Sequence, residues 1–452
     1  MASNSPLVIT AWSKSFRRLQ ELDALTSAKL DPRRNAVGTG TFTLPSDHPT
    51  NAWLNQDGAR VVCRYRGVTE MSGTVELAAP ELQQNGSTTY TFEDDVRIVQ
   101  NALGWVRPVA NGSSQGQIQA QSLSDDAQAV STVSHPAGTD AGYGAYVFDA
   151  QASGAASLTA EAAIKELLTR NLVQRLGRPV TIAADQGRGG NALAAGKLPV
   201  VRMAALLDAL QPLLNWSGLT LQVLQSLTPG QGFLVDVYAG TTYSQLITLD
   251  SGNITGGTGQ RAKPKATRVV VGGPGDDTAR AWYSVVDAAA EAKYGDVVEV
   301  LKDAAGTGLK WDSSISAAQQ VAKFYHLQSA NGQANITAFL NALAAAGQEA
   351  LTDGAAKSGL NMTLAETDAL HYGGSDGIRR GDVISVPIAP ATADTPALTL
   401  AGTVSGATIT LDDQGGVKAT TQVGDRTDDP DKQLTDAIQA LQTALRRNAA
   451  RK

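Results

Sequence analysis

Five pairs of adjacent carboxylates are the residues best spaced for chemistry: Asp94-Asp95, Asp125-Asp126, Asp276-Asp277, Asp412-Asp413 and Asp428-Asp429. Two acids side by side can divide general acid and general base work. A glycosidase pairs its carboxylates in space, so sequence alone leaves that use open. All five pairs flank turns or helix starts, where aspartate caps backbone N–H groups, and capping is the reading their setting favours. The histidines are His48, His135, His326 and His371. None has a second His or Cys three or four residues away, the spacing that puts two metal ligands on one helix face, and only His371 has a carboxylate there, Asp368, a single pair short of a ligand set. Cys63 is the single cysteine, so an internal disulfide is excluded and a cysteine-ligated zinc lacks its partners. In the run Val61-Val62-Cys63-Arg64-Tyr65 it reads as a small buried strand residue. Gly-x-Ser-x-Gly occurs at Gly373-Gly374-Ser375-Asp376-Gly377, but without the strand-then-helix pattern a nucleophile elbow needs, and nothing pairs Cys63 with a histidine for nucleophilic catalysis. Catalytic, cofactor and metal sites are therefore all expected to be absent.

A glycine-rich turn is the remaining candidate. The run Thr267–Val271 ends in Gly272-Gly273-Pro274-Gly275. Phosphate loops need a helix N-terminus after the glycines and a Gly-Lys-Ser/Thr. Here an extended run at 279–287 follows, then another at 296–301, so the segment predicts a meander with plain turns.

The elements around these residues divide into β-rich and helical stretches. Extended runs near 37–44, 60–66, 69–77 and 88–92 predict a first β-domain over residues 1–110, closed by a short helix at 94–103. Residues 111–145 are a polar stretch of Gly, Ser, Gln, Asp and Ala without periodicity, read as a linker or long loop. Residues 146–262 read as an α+β unit. Apolar residues Ala160, Ile164, Leu167, Leu168 and Leu172 mark a helix over 157–176, capped by Ser157 or Thr159. A second helix over 203–214 is expected to break near Pro212, with strands at 220–224, 233–238 and 243–249. Helical composition over 312–357 interrupts a second β pattern, which runs from 263–311 and resumes over 358–425. In that second pattern, residues 397–411 suggest a half-buried hairpin. The last element, within 426–452, is a helix capped by Asp429 and begun by Pro430. Leu434, Ile438, Leu441 and Leu445 lie along it at four, three and four residues, an a/d seam that fits either a coiled coil between copies or packing on its own domain.

Composition narrows the function classes. Hydrophobic residues make up 42%, charged residues 18% and aromatic residues 5%, with 45 glycines, which suits a turn-rich assembly protein better than an aromatic-lined pocket. A net charge of −6 leaves no footprint for general DNA binding, which depends on basic patches that neutralise phosphates. No apolar stretch approaches the ~18 residues of a membrane helix, and no basic-then-apolar leader opens the chain. Synthesis in a cytoplasm is the expectation.

Three blocks, in order, resemble a known family. The first runs from Gly40-Thr41-Phe42-Thr43-Leu44-Pro45 through Asp57-Gly58-Ala59-Arg60-Val61-Val62 and Ser72-Gly73-Thr74-Val75 to 94–108. The second is Ala266-Thr267-x-Val269-x-Val271-Gly272-Gly273-x-Gly275, followed by Ala279-Arg280, Tyr294-Gly295 and an acidic extended run. The third is Arg380-Gly381-Asp382-Val383-Ile384-Ser385-Val386. Together they resemble the minor tail, or baseplate hub, proteins of long-tailed (siphovirus-type) actinobacterial phages.

The resemblance implies a multidomain α+β chain with two small β-barrel-like, tail-tube-like domains, further α+β domains and a C-terminal helix. By it, the barrels are residues 1–110 and residues 263–311 with 358–425. It also implies a homotrimeric ring in the virion that continues the tail tube and carries the central fibre. Its partners would be a distal tail or tube protein and the tape-measure protein, with viral DNA only in transit. The 111–145 loop and the alanine-rich block at 312–357 depart from the family pattern. Two rival classes stand beside this reading: a cell-wall hydrolase at the tail tip, and a carbohydrate-binding adhesin, which the scattered Trp and Tyr residues disfavour.

Overall fold

The computed structural model describes residues 5–80, 86–104, 159–189, 204–244, 247, 252–273, 282–304, 330–355, 357–367, 370–389, 398–412 and 414–424. Strands dominate. The first β module holds β1 (Leu7–Trp12), β2 (Arg18–Glu21), β3 (Ser27–Asp31), β4 (Thr39–Pro45), β5 (Arg60–Tyr65), β6 (Val68–Pro80) and β7 (Ser87–Asp94). Residues alternate buried and half-buried along β4 and β7, as expected of strands with one face on a core.

An α+β unit follows. Its helix Ala160–Leu168 starts at Thr159, whose hydroxyl accepts from the Ala162 N–H at 3.2 Å, and continues as a π-helix over Thr169–Arg175. A second helix, Leu206–Ser217, runs straight through Pro212 instead of breaking there, because its buried leucine face (Leu206, Leu207, Leu210, Leu213, Leu214) holds it against the unit's core. These helices cover a small sheet of β8 (Val180–Ile182), β9 (Leu219–Gln225) and β10 (Phe233–Ala239).

The second β module holds β11 (Thr242–Ser244) and β12 (Ile254–Ala262). A separate unit intervenes, with β13 (Arg268–Gly272), β14 (Trp282–Val286) and β15 (Glu299–Asp303). The module then resumes with β16 (Lys357–Ala365), β17 (Val383–Ala389), β18 (Leu398–Leu411) and β19 (Val417–Val423). Strands β11 and β12 fall in the stretch that the sequence assigned to the preceding α+β unit, yet they pair with β17 and β16.

Two further expectations are corrected. The β13–β15 segment is not a meander: β14 is antiparallel to β13, but β15 lies parallel to it. A parallel return needs a crossover. Residues Ala288–Tyr294 supply it as a helix, capped by Asp287 through the Ala290 N–H at 2.9 Å. The expected hairpin at 397–411 is one 14-residue strand, β18, bent by a bulge between Val404 and Gly406. The long helix Ala330–Gly354 packs on the β13–β15 sheet, where Leu343 and Leu351 meet Val269 and Val271. Gly347 marks the closest approach of that helix, since a Cβ there would collide with Val285 and Val271.

The two β modules are not closed barrels among the described residues. They merge into one 13-stranded sheet whose path runs β12-β16-β19-β18-β3-β4-β7-β6-β5-β1-β2, with β17 and β11 branching from β18. A single hydrophobic cluster spans the join, from Leu30, Phe42 and Phe92 on one side to Val404, Ile409 and Val423 on the other. Among the described residues, no helix is long and apolar enough to cross a membrane.

Candidate assembly seam and its buried polar junction

The join is formed by β3 and β18, antiparallel, with Leu30 opposite Ile409, Lys29 opposite Thr410 and Ala28 opposite Leu411. It extends beyond the strands: Arg33 bridges Gly406, Arg34 N–H donates to Ser405 O at 2.8 Å, and Ala407 N–H donates to Pro32 O at 3.3 Å.

The two modules share a strand order but meet the seam through different strands, β3 and β18. The first orders its strands β3-β4-β7-β6-β5-β1, and the second orders its strands β12-β16-β19-β18-β17-β11. From β3 to β5 and from β12 to β17 the match holds residue by residue, whereas the last strands differ in direction, β1 running antiparallel to β5 and β11 parallel to β17. Gly73-Thr74-Val75 on β6 and Gly402-Thr403-Val404 on β18 are each followed at once by a bulge. Val75 stands opposite Phe92 and Val404 opposite Val423. A Cβ on Gly73 would strike the Phe92 ring, and one on Gly402 would strike the Val423 side chain. The turn before the paired strand is also shared: Gly58 and Gly381 both take positive φ, 77° and 90°, a conformation that favours glycine. From these turns Val75 N–H donates to Ala59 O and Val404 N–H to Asp382 O, at 2.9 and 2.7 Å. The chain thus contains a structural repeat, interrupted in its second copy by the β13–β15 unit.

Beside the seam lies a cluster of buried charge that ties three units together. Arg60 on β5 donates to Asp95 Oδ2 at 2.5 Å, to Gln225 Oε1 on β9 at 2.6 Å and to Thr74 Oγ1 at 2.9 Å. Its guanidinium also sits 5.2 Å from the centre of the Phe16 ring and 4.8 Å from that of Phe233. Ser72 Oγ donates to Asp95 Oδ2 at 2.5 Å and accepts from the Gln225 N–H at 2.8 Å. Arg380, on the turn into β17, donates to Glu70 O at 2.9 Å and Arg33 O at 3.2 Å, and approaches Asp94 Oδ2 at 3.7 Å. Glu70 accepts from the Tyr372 hydroxyl at 3.1 Å.

Three acids therefore share two arginines in a site almost closed to water. Burial raises the carboxyls of Glu70, Asp94 and Asp95, and Asp94 is pushed up to about 7 despite the nearby Arg380. Asp94 and Asp95 are 1% and 3% exposed, so this pair is a core ion cluster and not the surface caps that the sequence suggested. Only Asp94 Oδ1 keeps a capping role, accepting from Val96 N–H at 3.3 Å.

The loop carrying Asn35 docks the α+β unit on the same seam. Asn35 donates to Leu219 O at 3.0 Å and accepts from Leu221 N–H at 2.8 Å, and Arg34 donates to Thr220 Oγ1 at 3.0 Å. A cleft of about 390 Å³ lies between the units, lined among others by Glu70, Arg188, Asp236, Tyr238 and Arg379. Its charges are largely matched within the wall: Arg188 pairs with Asp236 at 3.3 Å, and Lys165 bridges Glu161 and Asp236 at 2.6 and 2.8 Å. Such matching rigidifies a junction.

The other sequence candidates are placed as follows. Cys63 is buried, with its thiol pushed up by burial. His48 meets Asp23 at 3.2 Å, and His371 meets Asp376 at 3.3 Å. Asp412 Oδ1 accepts from Gly416 N–H at 2.7 Å, a turn role. Among the described residues, no group of three or more His, Cys, Asp and Glu could hold a metal ion. Leu434, Ile438, Leu441 and Leu445, His135, His326, the loop 111–145 and the other carboxylate pairs lie outside the described residues, as do Pro274 and Gly275. Sequence reasoning missed the repeat and the charge cluster. Gly-Thr-Val occurring twice, each time after a positive-φ glycine turn and a β-branched strand, is the signal that could have found the repeat.

The sequence model of the Siphovirus ReqiPepy6 Gp37-like protein family matches residues 8–425. No curated protein matches the chain. Three solved structures of similar outline are tail proteins. The 43 kDa tail protein of prophage MuSo2 from Shewanella oneidensis has 11% identity and a TM-score of 0.42, with 92% of this chain and 97% of that chain covered. A tail protein from Neisseria meningitidis MC58 has 11% identity and a TM-score of 0.41, with 93% and 96% covered. The prophage tail protein gp18 from Listeria monocytogenes EGD-e has 9% identity and a TM-score of 0.44, with 96% and 99% covered.

Proposed function

The chain belongs to the Siphovirus ReqiPepy6 Gp37-like protein family, and from that premise we propose that it is a structural protein of the tail tip. Copies of it form a ring, three to a ring, that continues the tail tube and anchors the distal tip or a central fibre. One observation carries the reading: two β modules of matching strand order are already joined edge to edge within one chain. A protein that joins like modules in this way is suited to extend the series with further copies. Closure then removes the open edges that otherwise invite uncontrolled pairing.

A structural role also fits how the chain spends its acids. Asp94 and Asp95 are held inside the junction by Arg60, Ser72 and Arg380, in contact with protein groups. The partners of such a ring are the distal tail or tube protein, the tape-measure protein and the central fibre, with DNA in transit through the lumen. A chain of net charge −6 does not trap passing DNA by general electrostatics. The C-terminal segment bearing Leu434, Ile438, Leu441 and Leu445 is proposed as the joint to the fibre.

Immunogold electron microscopy of intact phage with an antibody to this chain tests the location. Gold confined to the distal end of the tail is expected. Gold spread along the tail, or absent although a control shows the epitope to be accessible, would overturn the tip assignment.

A further inference from the structure

The internal seam uses one edge of each module and leaves the matching edges open. The first module's outer strand β3 is covered by the far half of β18. The second module's outer strand is β12, and among the described residues its only partner is β16. Residues 255–259 along it are exposed. The counterpart of β18 in the first module is β6. Its near half pairs with β5, but among the described residues its far half has only β7 on one side, and Glu76, Ala79 and Pro80 are exposed.

We propose that β12 of one copy pairs with the far half of β6 of a second copy, repeating the internal seam. This rests on the ring reading above and specifies its interface. The repeat fixes the register. Leu30 stands opposite Gly40, which faces Phe92; Gly257 stands opposite Met362, which faces Val423. Leu30 and Gly257 are therefore equivalent. Val75 and Val404 are equivalent by their place before the bulge, so Pro80 corresponds to Ile409. Ile409 faces Leu30 within the chain, and so Pro80 faces Gly257 between copies, antiparallel, with Thr258 opposite Ala79.

The local chemistry agrees with this register. The Ala407–Pro32 hydrogen bond places the Ile409–Leu30 pair in the bonded class, by the two-residue alternation of antiparallel ladders. Pro80 occupies the Ile409 place and cannot donate, so it supplies its carbonyl alone, a role that confines proline to edges. The internal seam makes the same omission on its other strand, at Pro32. Gly256, Gly257 and Gly259 make β12 a weak strand by itself and let a second backbone approach closely.

The test is a cysteine pair in the full-length chain. Ala79 and Thr258 form a non-hydrogen-bonded pair in this register, with Cα atoms about 4.5 Å apart, inside the ~4.4–6.8 Å range that a disulfide spans. Cys63 is buried and does not compete. Under mild oxidation, the Ala79→Cys/Thr258→Cys chain is expected to give covalently closed rings, in purified protein or in tail particles. The shifted pair Ala79→Cys/Gly256→Cys, two residues out of register and beyond that range, is expected to cross-link about tenfold less. Wild-type protein supplies a second readout, because amide exchange of 256–259 and 76–79 slows on assembly.

A ring seen by native mass that neither cross-links in this register nor slows exchange at these strands would overturn the seam and leave the ring. Equal cross-linking at the shifted register would do the same. Monomers alone, both in solution and in tail particles, would overturn ring and seam together.

Discussion

The two β modules share a strand order and differ in what fills them. The first packs aromatic rings: Phe42 stacks on Tyr90 with centroids 5.2 Å apart, and Phe92 lies against Phe42 at 6.3 Å. In the second, the equivalent places hold Leu364, Thr421 and Val423. The position of Arg60, core of the charge cluster, is taken by Val383. The topology therefore does not depend on a particular set of core residues. It depends on features common to both: a positive-φ glycine turn, a Gly-Thr-Val strand and the bulge after it. The modules also differ in their edges. Among the described residues, the first has its outer strand covered within the chain, and the second does not. That asymmetry separates a seam completed in folding from one left for assembly.

Substitutions at equivalent places sharpen the comparison. Arg60→Ala strips a buried ion from Asp95, and is expected to lower stability by about 3–5 kcal/mol. Val383→Ala, half-buried at the same place, is expected to cost about 1 kcal/mol. Urea unfolding of both variants checks this, and equal losses would break the claim that this place carries a buried ion pair in the first module and apolar packing in the second. Phe92→Ala is expected to cost about 3–5 kcal/mol against about 1.5 kcal/mol for Val423→Ala. Comparable losses would contradict the account of aromatic and aliphatic filling.

The charge cluster adds a pH dependence. The Asp94 carboxyl is raised in the fold from 3.8 to about 7 by burial. The stabilisation from its bound proton is thus fully present below pH about 3.8 and is lost as pH rises through about 7. The wild-type urea midpoint is expected to fall from pH 5 to pH 8 by more than that of Asp94→Asn. Parallel curves would remove Asp94 from the explanation. The smallest effect is on the surface: Arg18, 55% exposed and paired with Glu21, can be replaced by Ala with a change of about 0–1 kcal/mol.

Strand positions such as Arg60–Tyr65 and Ser87–Asp94 were legible because β-branched and aromatic residues alternate between turn signals. The siphovirus tail resemblance, read from ordered blocks, is borne out by the family match over residues 8–425. What was not legible depends on partners distant in sequence. β18 reads as a hairpin because Gly402, Ser405 and Gly406 resemble a turn, yet β17, β3 and β19 hold it extended. Asp94-Asp95 reads as a cap until Arg60 and Arg380 arrive from positions far along the chain. The alanine run at 288–294 falls between two extended runs and reads as a plain turn until its cap at Asp287 is seen in place.

Threefold-averaged electron cryo-microscopy of the distal tail end tests the central claim most directly. The account predicts a ring of six near-equivalent β modules, alternately joined within and between chains, with Gly257 of one copy beside Pro80 of the next. A ring whose copies meet through the β13–β15 units, or a tip without this chain, would contradict it.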